Sequence, residues 1–111
     1  MRISPLILAA VFAALLVPAA FADDAVSRDV EIHNHVFAPA EINVPAGKPV
    51  ALHIKNMDTT AEEFDSSALK VEKVIGGNGA AVVHLRPLAP GRYKFEGEYH
   101  EKTAQGVVIA Q

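Results

Sequence analysis

Cysteine is absent from this chain of 111 residues. Disulfide bonds are therefore excluded, and so is every thiolate chemistry: no blue-copper centre, no cysteine-ligated zinc and no iron–sulfur cluster. An excess of basic charge is also missing. Lysine and arginine number 10 against 13 acidic residues, which argues against nucleic acid or anionic lipid as a partner. No glycine-framed nucleophile turn surrounds Ser66 or Ser67, and no glycine-rich phosphate loop leads into a helix. There is no internal repeat, no low-complexity tract and no sustained 3.6-residue hydrophobic period.

One long apolar run is present, at the start. Arg2 precedes a nearly unbroken hydrophobic stretch from Leu6 to Val17, and Ala20-Phe21-Ala22 has the small-x-small pattern of a signal-peptidase site. This pattern predicts a cleaved secretory signal peptide over residues 1–22 and a single domain over 23–111. The run is too short, with its Pro18 break, to cross a membrane comfortably, so no stable membrane insertion is expected after cleavage. Without Arg2 the charge balance becomes nine basic to thirteen acidic, a net charge of −4. Such a domain attracts cations.

The remainder is built from short alternating segments. Val30–Ile32, Glu41–Val44, Val50–Asn56, Glu62–Asp65, Lys70–Ile75, Ala80–Leu85, Tyr93–Tyr99 and Gly106–Ala110 read as about eight strands. The cleanest is Val50–Asn56, where Val50, Leu52 and Ile54 point one way and Ala51, His53 and Lys55 the other. Asp23–Ser27 reads as a polar lead-in. Pro45-Ala46-Gly47-Lys48 reads as a turn with Gly47 suited to a positive φ, and Gly76-Gly77-Asn78-Gly79 as a breaker. Turn signals every 8–12 residues or so predict an all-β antiparallel sandwich or barrel.

Three segments together resemble the cupredoxins, the small copper-protein sandwiches. They are Phe37-Ala38-Pro39-Ala40-Glu41-Ile42-Asn43-Val44-Pro45-Ala46-Gly47; Asn56 closing a strand before Glu62-Glu63-Phe64; and Pro90-Gly91-Arg92-Tyr93-Lys94-Phe95, running to His100 and Gly106. The resemblance implies a cupredoxin-like Greek-key β-sandwich. In a blue member, a histidine ligand lies six residues beyond the asparagine, where this chain has Glu62. The cysteine position falls on Gly97, the second histidine on His100, and the axial methionine near Ala104 or Gln105. One of four ligands survives, so a blue electron carrier is excluded.

A narrower match is carried by Glu63-Phe64-Asp65-Ser66, Leu69, Glu72-Lys73 and Tyr99-His100-Glu101 with Thr103, Ala104 and Gly106. These resemble periplasmic cupredoxin-like proteins of bacterial iron-uptake systems, related to the EfeO-type cupredoxin domain. That resemblance implies a periplasmic protein binding copper and/or iron and assisting ferrous-iron uptake, with oxidation of Fe(II) as its chemistry. It also implies a periplasmic iron-binding protein and an inner-membrane iron permease as partners. A copper-handling protein without turnover and a metal-free docking module are the alternatives.

The metal ligands expected are His100, Glu62, Glu63 and His35. In a cupredoxin-like sandwich the loops carrying Glu62-Glu63 and His100 lie side by side at one end. Glu62 shares strand parity with Phe64 and points inward, while Glu63 points to the other side. His35 shares the parity of Phe37, and His33 and His35 form a His-x-His pair on one strand face. His53 and His84 read as outward-facing strand residues, and Met57 as a loop residue. Imidazoles with carboxylates form a harder donor set than one containing thiolate, suited to Cu(II), Fe(II), Fe(III) or Mn(II).

Overall fold

The computed structural model describes residues 25–111. The signal peptide expected over residues 1–22 lies outside the described residues. Nine strands form two sheets: β1 (Val26–His33), β2 (Val36–Ala38), β3 (Glu41–Val44), β4 (Val50–Asn56), β5 (Glu62–Ser66), β6 (Val71–Ile75), β7 (Ala80–Leu85), β8 (Gly91–Gly97) and β9 (Gln105–Ala110). A 3₁₀ turn, Glu98–His100, follows β8. Among the described residues no helix is long and apolar enough to cross a membrane.

One sheet has the order β2-β1-β4-β7 and the other β3-β9-β8-β5-β6. Three points differ from the sequence reading. The count is nine rather than eight, because Val36–Ala38 forms its own short strand against β1. Val26 and Ser27, read as lead-in, also belong to β1. The sheets are mixed: β1 runs parallel to β4 and β3 parallel to β9. Alternation of apolar and polar residues reports one solvated face; it does not encode the direction of the neighbouring strand. The expected turn at Gly47 is present, with φ +76°.

Inward-facing residues of both sheets make the core. Val30, Ile32, Leu52 and Ile54 of one sheet face Ile42, Phe64, Phe95 and Val108 of the other. Phe37, Phe64 and Phe95 form an aromatic cluster across the gap. Phe64 and Phe95 stack with centroids 4.7 Å apart, and Phe37 meets them edge-on at 6.0 Å and 5.0 Å. Edge-to-face contacts suit the ring quadrupoles and add to the apolar area buried.

Asn56, the last residue of β4, closes one end of the sandwich. Its Nδ2 donates to the carbonyls of Thr60 (2.9 Å), Ile75 (3.2 Å) and Gly76 (3.2 Å), and its Oδ1 accepts the Asp58 N–H at 3.0 Å. Asn56 is buried, so water does not replace these bonds when the side chain is removed. We expect Asn56→Ala to lower stability by about 2–3 kcal/mol in urea unfolding, more than a solvent-exposed substitution. A loss below about 0.5 kcal/mol contradicts a role for Asn56 in holding this end together.

Candidate metal centre

Three connections converge on the end closed by Asn56. The β1–β2 hairpin turns through Asn34 and His35, both with positive φ (51° and 60°). His33 pairs with Val36, leaving a two-residue turn. Positive φ at both central residues belongs to the type I′ turn that suits the twist of paired strands. Asp58, from the β4–β5 connection, holds this turn. Its Oδ1 accepts the Asn34 N–H at 2.7 Å and its Oδ2 the His35 N–H at 2.9 Å. Those backbone bonds, the His35 bond first, hold the Asp58 carboxyl below its ordinary value.

His35 is therefore a turn residue and not a strand residue. The expectation that His33 and His35 share one strand face is corrected. The left-handed backbone at positions 34 and 35 breaks the alternation, and His33 is exposed at the end of β1 while His35 turns toward the β8–β9 connection. Thr103 secures it from that side, donating from Oγ1 to the His35 carbonyl at 2.7 Å.

Glu62 opens β5 and has the parity of Phe64, as the alternation predicts. It is 1% exposed. Its Oε1 accepts the backbone N–H groups of Glu63 (3.0 Å) and Tyr99 (2.9 Å). Its Oε2 lies 2.5 Å from Nδ1 of His100. Every oxygen of this buried carboxylate is thus engaged, the condition for burying an acidic group.

The β8–β9 connection is closed on itself. Gly97 N–H donates to the Ala104 carbonyl (2.8 Å), and Ala104 N–H to the His100 carbonyl (2.8 Å). His100 points down onto Glu62, and its ring stacks on that of His35 with centroids 3.5 Å apart and planes 11° from parallel. His35, Glu62 and His100 form a group whose ligand atoms all lie within 4.8 Å of one another. Among the described residues no other such group of three or more histidines and carboxylates occurs.

Four residues were expected at this site, and the structure brings three of them together. Glu63 faces away, on the outer surface of the β5 strand. Its charge and a side-chain hydrogen bond push the Glu98 carboxyl above its ordinary value. Sequence reasoning missed Asp58 and Thr103, which position His35. The signal for Asp58 was Asn34, a residue favoured in left-handed turns that need an acceptor for their N–H groups. His53 is exposed on β4, as expected, and Met57 is 42% exposed.

Gly97 occupies the position where the blue-copper pattern has its thiolate, and Glu62 fills the room beside it. A Cβ at residue 97 would lie 2.6 Å from Glu62 Cδ and 2.6 Å from Ala104 Cβ. The missing side chain and the buried carboxylate are thus complementary.

The two-sheet β-sandwich, with three inter-strand connections meeting at one pole, has the architecture of a cupredoxin-type protein. Residues 5–110 match the family model of the Cupredoxin-like domain, and the chain belongs to that family. The uncharacterized protein RP394 of Rickettsia prowazekii (strain Madrid E) is 37% identical over 87 residues, spanning 78% of this chain and 70% of that protein. The metal-binding domain of the Cu(I)-exporting P-type ATPase CopA of Streptococcus pneumoniae D39, solved with Cu(I), has a similar fold. Its TM-score is 0.68 at 17% identity, over 77% of this chain and 84% of that one. Auracyanin A, a blue copper protein of Chloroflexus aurantiacus, gives a TM-score of 0.65 at 16% identity, over 78% and 99%. The purple cupredoxin of Nitrosopumilus maritimus gives 0.58 at 16%, over 79% and 100%.

Two outcomes follow for this pole. Gly97→Ala is expected to cost about 1–3 kcal/mol of stability by overpacking, and less in a Glu62→Ala background, where one of the two obstructing side chains is gone. Equal costs in the two backgrounds contradict the complementarity. The second outcome concerns acid. Because the folded Asp58 carboxyl is held below its unfolded value, its contribution is present above about pH 4 and is lost as pH falls through the folded value. Unfolding measured from pH 5 down to about pH 2 should show a smaller acid loss for Asp58→Asn than for the wild type. An unchanged acid profile overturns that assignment.

Proposed function

We propose that this protein is an exported, periplasmic copper-binding protein whose ion is held by His35, Glu62 and His100 without a thiolate. The observation that carries the reading is the convergence of these three donors from the β1–β2 turn, the start of β5 and the β8–β9 connection, with Glu62 buried beneath two part-exposed imidazoles. Donor atoms within 4.8 Å of one another come within reach of one ion once an imidazole ring reorients, since bonds of about 2 Å span donors up to about 4 Å apart. Two imidazole nitrogens and a carboxylate oxygen fit Cu(II) well. Bound copper supplies one-electron redox chemistry. The protein's own part is to hold the donors, orient His100 through Glu62 and keep the lower face of the site dry. The CopA domain and auracyanin A, which share the fold, are described as copper proteins, and this supports copper over other ions. Export is supported by the apolar run and small-x-small pattern before Asp23.

The narrower reading is assistance to ferrous-iron uptake beside a periplasmic iron-binding protein and an inner-membrane permease. What favours it is the donor set: with glycine at position 97 in place of the thiolate and Glu62 in place of a histidine, the site is harder and more accommodating to iron. Competition between the two metals distinguishes the readings.

Titration of the purified protein with Cu(II), Fe(II) and Mn(II) tests both. Copper is expected to bind with a dissociation constant of about 1 μM or tighter. His100→Ala should weaken it by about a hundredfold or more, and Glu63→Ala by no more than about twofold. The Cu(II) complex should lack the intense visible band of thiolate-to-copper charge transfer. Affinity should fall in acid as protons compete for the imidazoles. Absence of copper binding, or an unaffected His100→Ala variant, contradicts the proposal. Preferential Fe(II) binding favours the iron reading.

A further inference from the structure

The stacking of His35 on His100 is incompatible with both rings binding one ion. The lone pair of an imidazole nitrogen lies in the plane of its ring, so a metal bound by two imidazoles has to lie close to both planes. Here the planes are 11° from parallel and the centroids 3.5 Å apart, so they do not meet near the donor atoms. The stacked pair is a closed arrangement, and one ring has to leave it.

We infer that His35 is the moving ligand, closing over His100 in the metal-free protein and swinging out to bind the ion. The inference rests on the metal site proposed above and names the residue that controls entry and release. Three observations distinguish the two rings. First, His100 is clamped: its Nδ1 lies 2.5 Å from Glu62, whose other oxygen is fixed by two backbone N–H groups. Secondly, the His35 ring is loosely held. Its Nδ1 lies 3.4 Å from Asp58 Oδ2, and its side chain is 41% exposed against 28% for His100. Thirdly, His35 has somewhere to go. An open surface hollow adjoins it, lined also by His33, Met57 and Asp58, and leaves the ring room to turn off His100.

The backbone of His35 is held while its ring turns. Asp58 accepts its N–H, and Thr103 donates to its carbonyl, so χ rotation alone serves the motion. His100 and Glu62 thus stay on their anchors, with only the hydrogen bond between them opening when both ligate the ion, and His35 is the lid, which places control of ion exchange in one part-exposed side chain.

Two measurements on the purified protein test this. In the metal-free protein, NMR should show through-space contacts between the His35 and His100 rings. In the Cu(II)-loaded protein, pulsed EPR should count two equatorial imidazoles for the wild type and one for His35→Ala. Copper transfer from His35→Ala to a chelator should be about tenfold faster than from the wild type, with binding retained. Two coordinated imidazoles together with a stacked metal-free pair establish that the rings separate. A single imidazole in the loaded wild type, unstacked rings in the metal-free protein, or an unchanged release rate overturns the inference while leaving the metal site standing. Failure of the wild type to bind copper overturns the site and the inference together.

Discussion

Burial of the Glu62 carboxylate is the constraint on which this pole depends. An ionised carboxylate removed from water is costly by several kcal/mol unless its oxygens are satisfied. Here the Glu63 and Tyr99 N–H groups and the His100 ring meet that requirement. Two of these partners belong to the β8–β9 connection, so satisfying Glu62 also docks that connection onto β5. The absence of a side chain at Gly97 makes the docking sterically feasible. A single buried acid thus does structural and chemical service, fixing a loop and aiming an imidazole.

Around that interaction the sandwich supplies rigidity in layers. The Phe37, Phe64 and Phe95 rings pack beneath it. Asn56 ties the ends of β4 and β6 to the connection that carries Asp58. Asp58 in turn holds the β1–β2 turn that presents His35. The chain of bonds runs from core to surface, and burial declines along the way: Glu62 is buried, His100 part-exposed and hydrogen-bonded to it, His35 more exposed. Such a gradient suits a site that retains an ion while remaining open to exchange.

Much of this was legible in the sequence. Alternation exposed Phe64 and, by parity, placed Glu62 inward, because both lie on one strand with one solvated face. His100 was legible from its place in a strand–loop–strand segment. What alternation does not carry is the direction of neighbouring strands, so the parallel β1/β4 and β3/β9 pairs were not foreseen. Nor does it carry local left-handed backbone. Asn34-His35 reads as a continuing strand until the hairpin turn is recognised, and that turn alone brings His35 onto His100. The supporting roles of Asp58 and Thr103 depend on contacts across 23 and 68 residues, separations at which no sequence period reports.

Compared with a thiolate site, the cluster lacks a soft donor: glycine stands at position 97, and a buried carboxylate lies beside it. The cupredoxin-like fold is kept, while two imidazoles and a carboxylate form a harder donor set than one containing a thiolate. The most direct measurement of this account is a crystal structure of the copper-loaded protein with anomalous data at the copper absorption edge. The account predicts one strong peak bonded to His100, Glu62 and His35, with the two imidazole rings splayed apart. A peak elsewhere, such as beside His33 and Met57, or no peak under saturating copper, would contradict it.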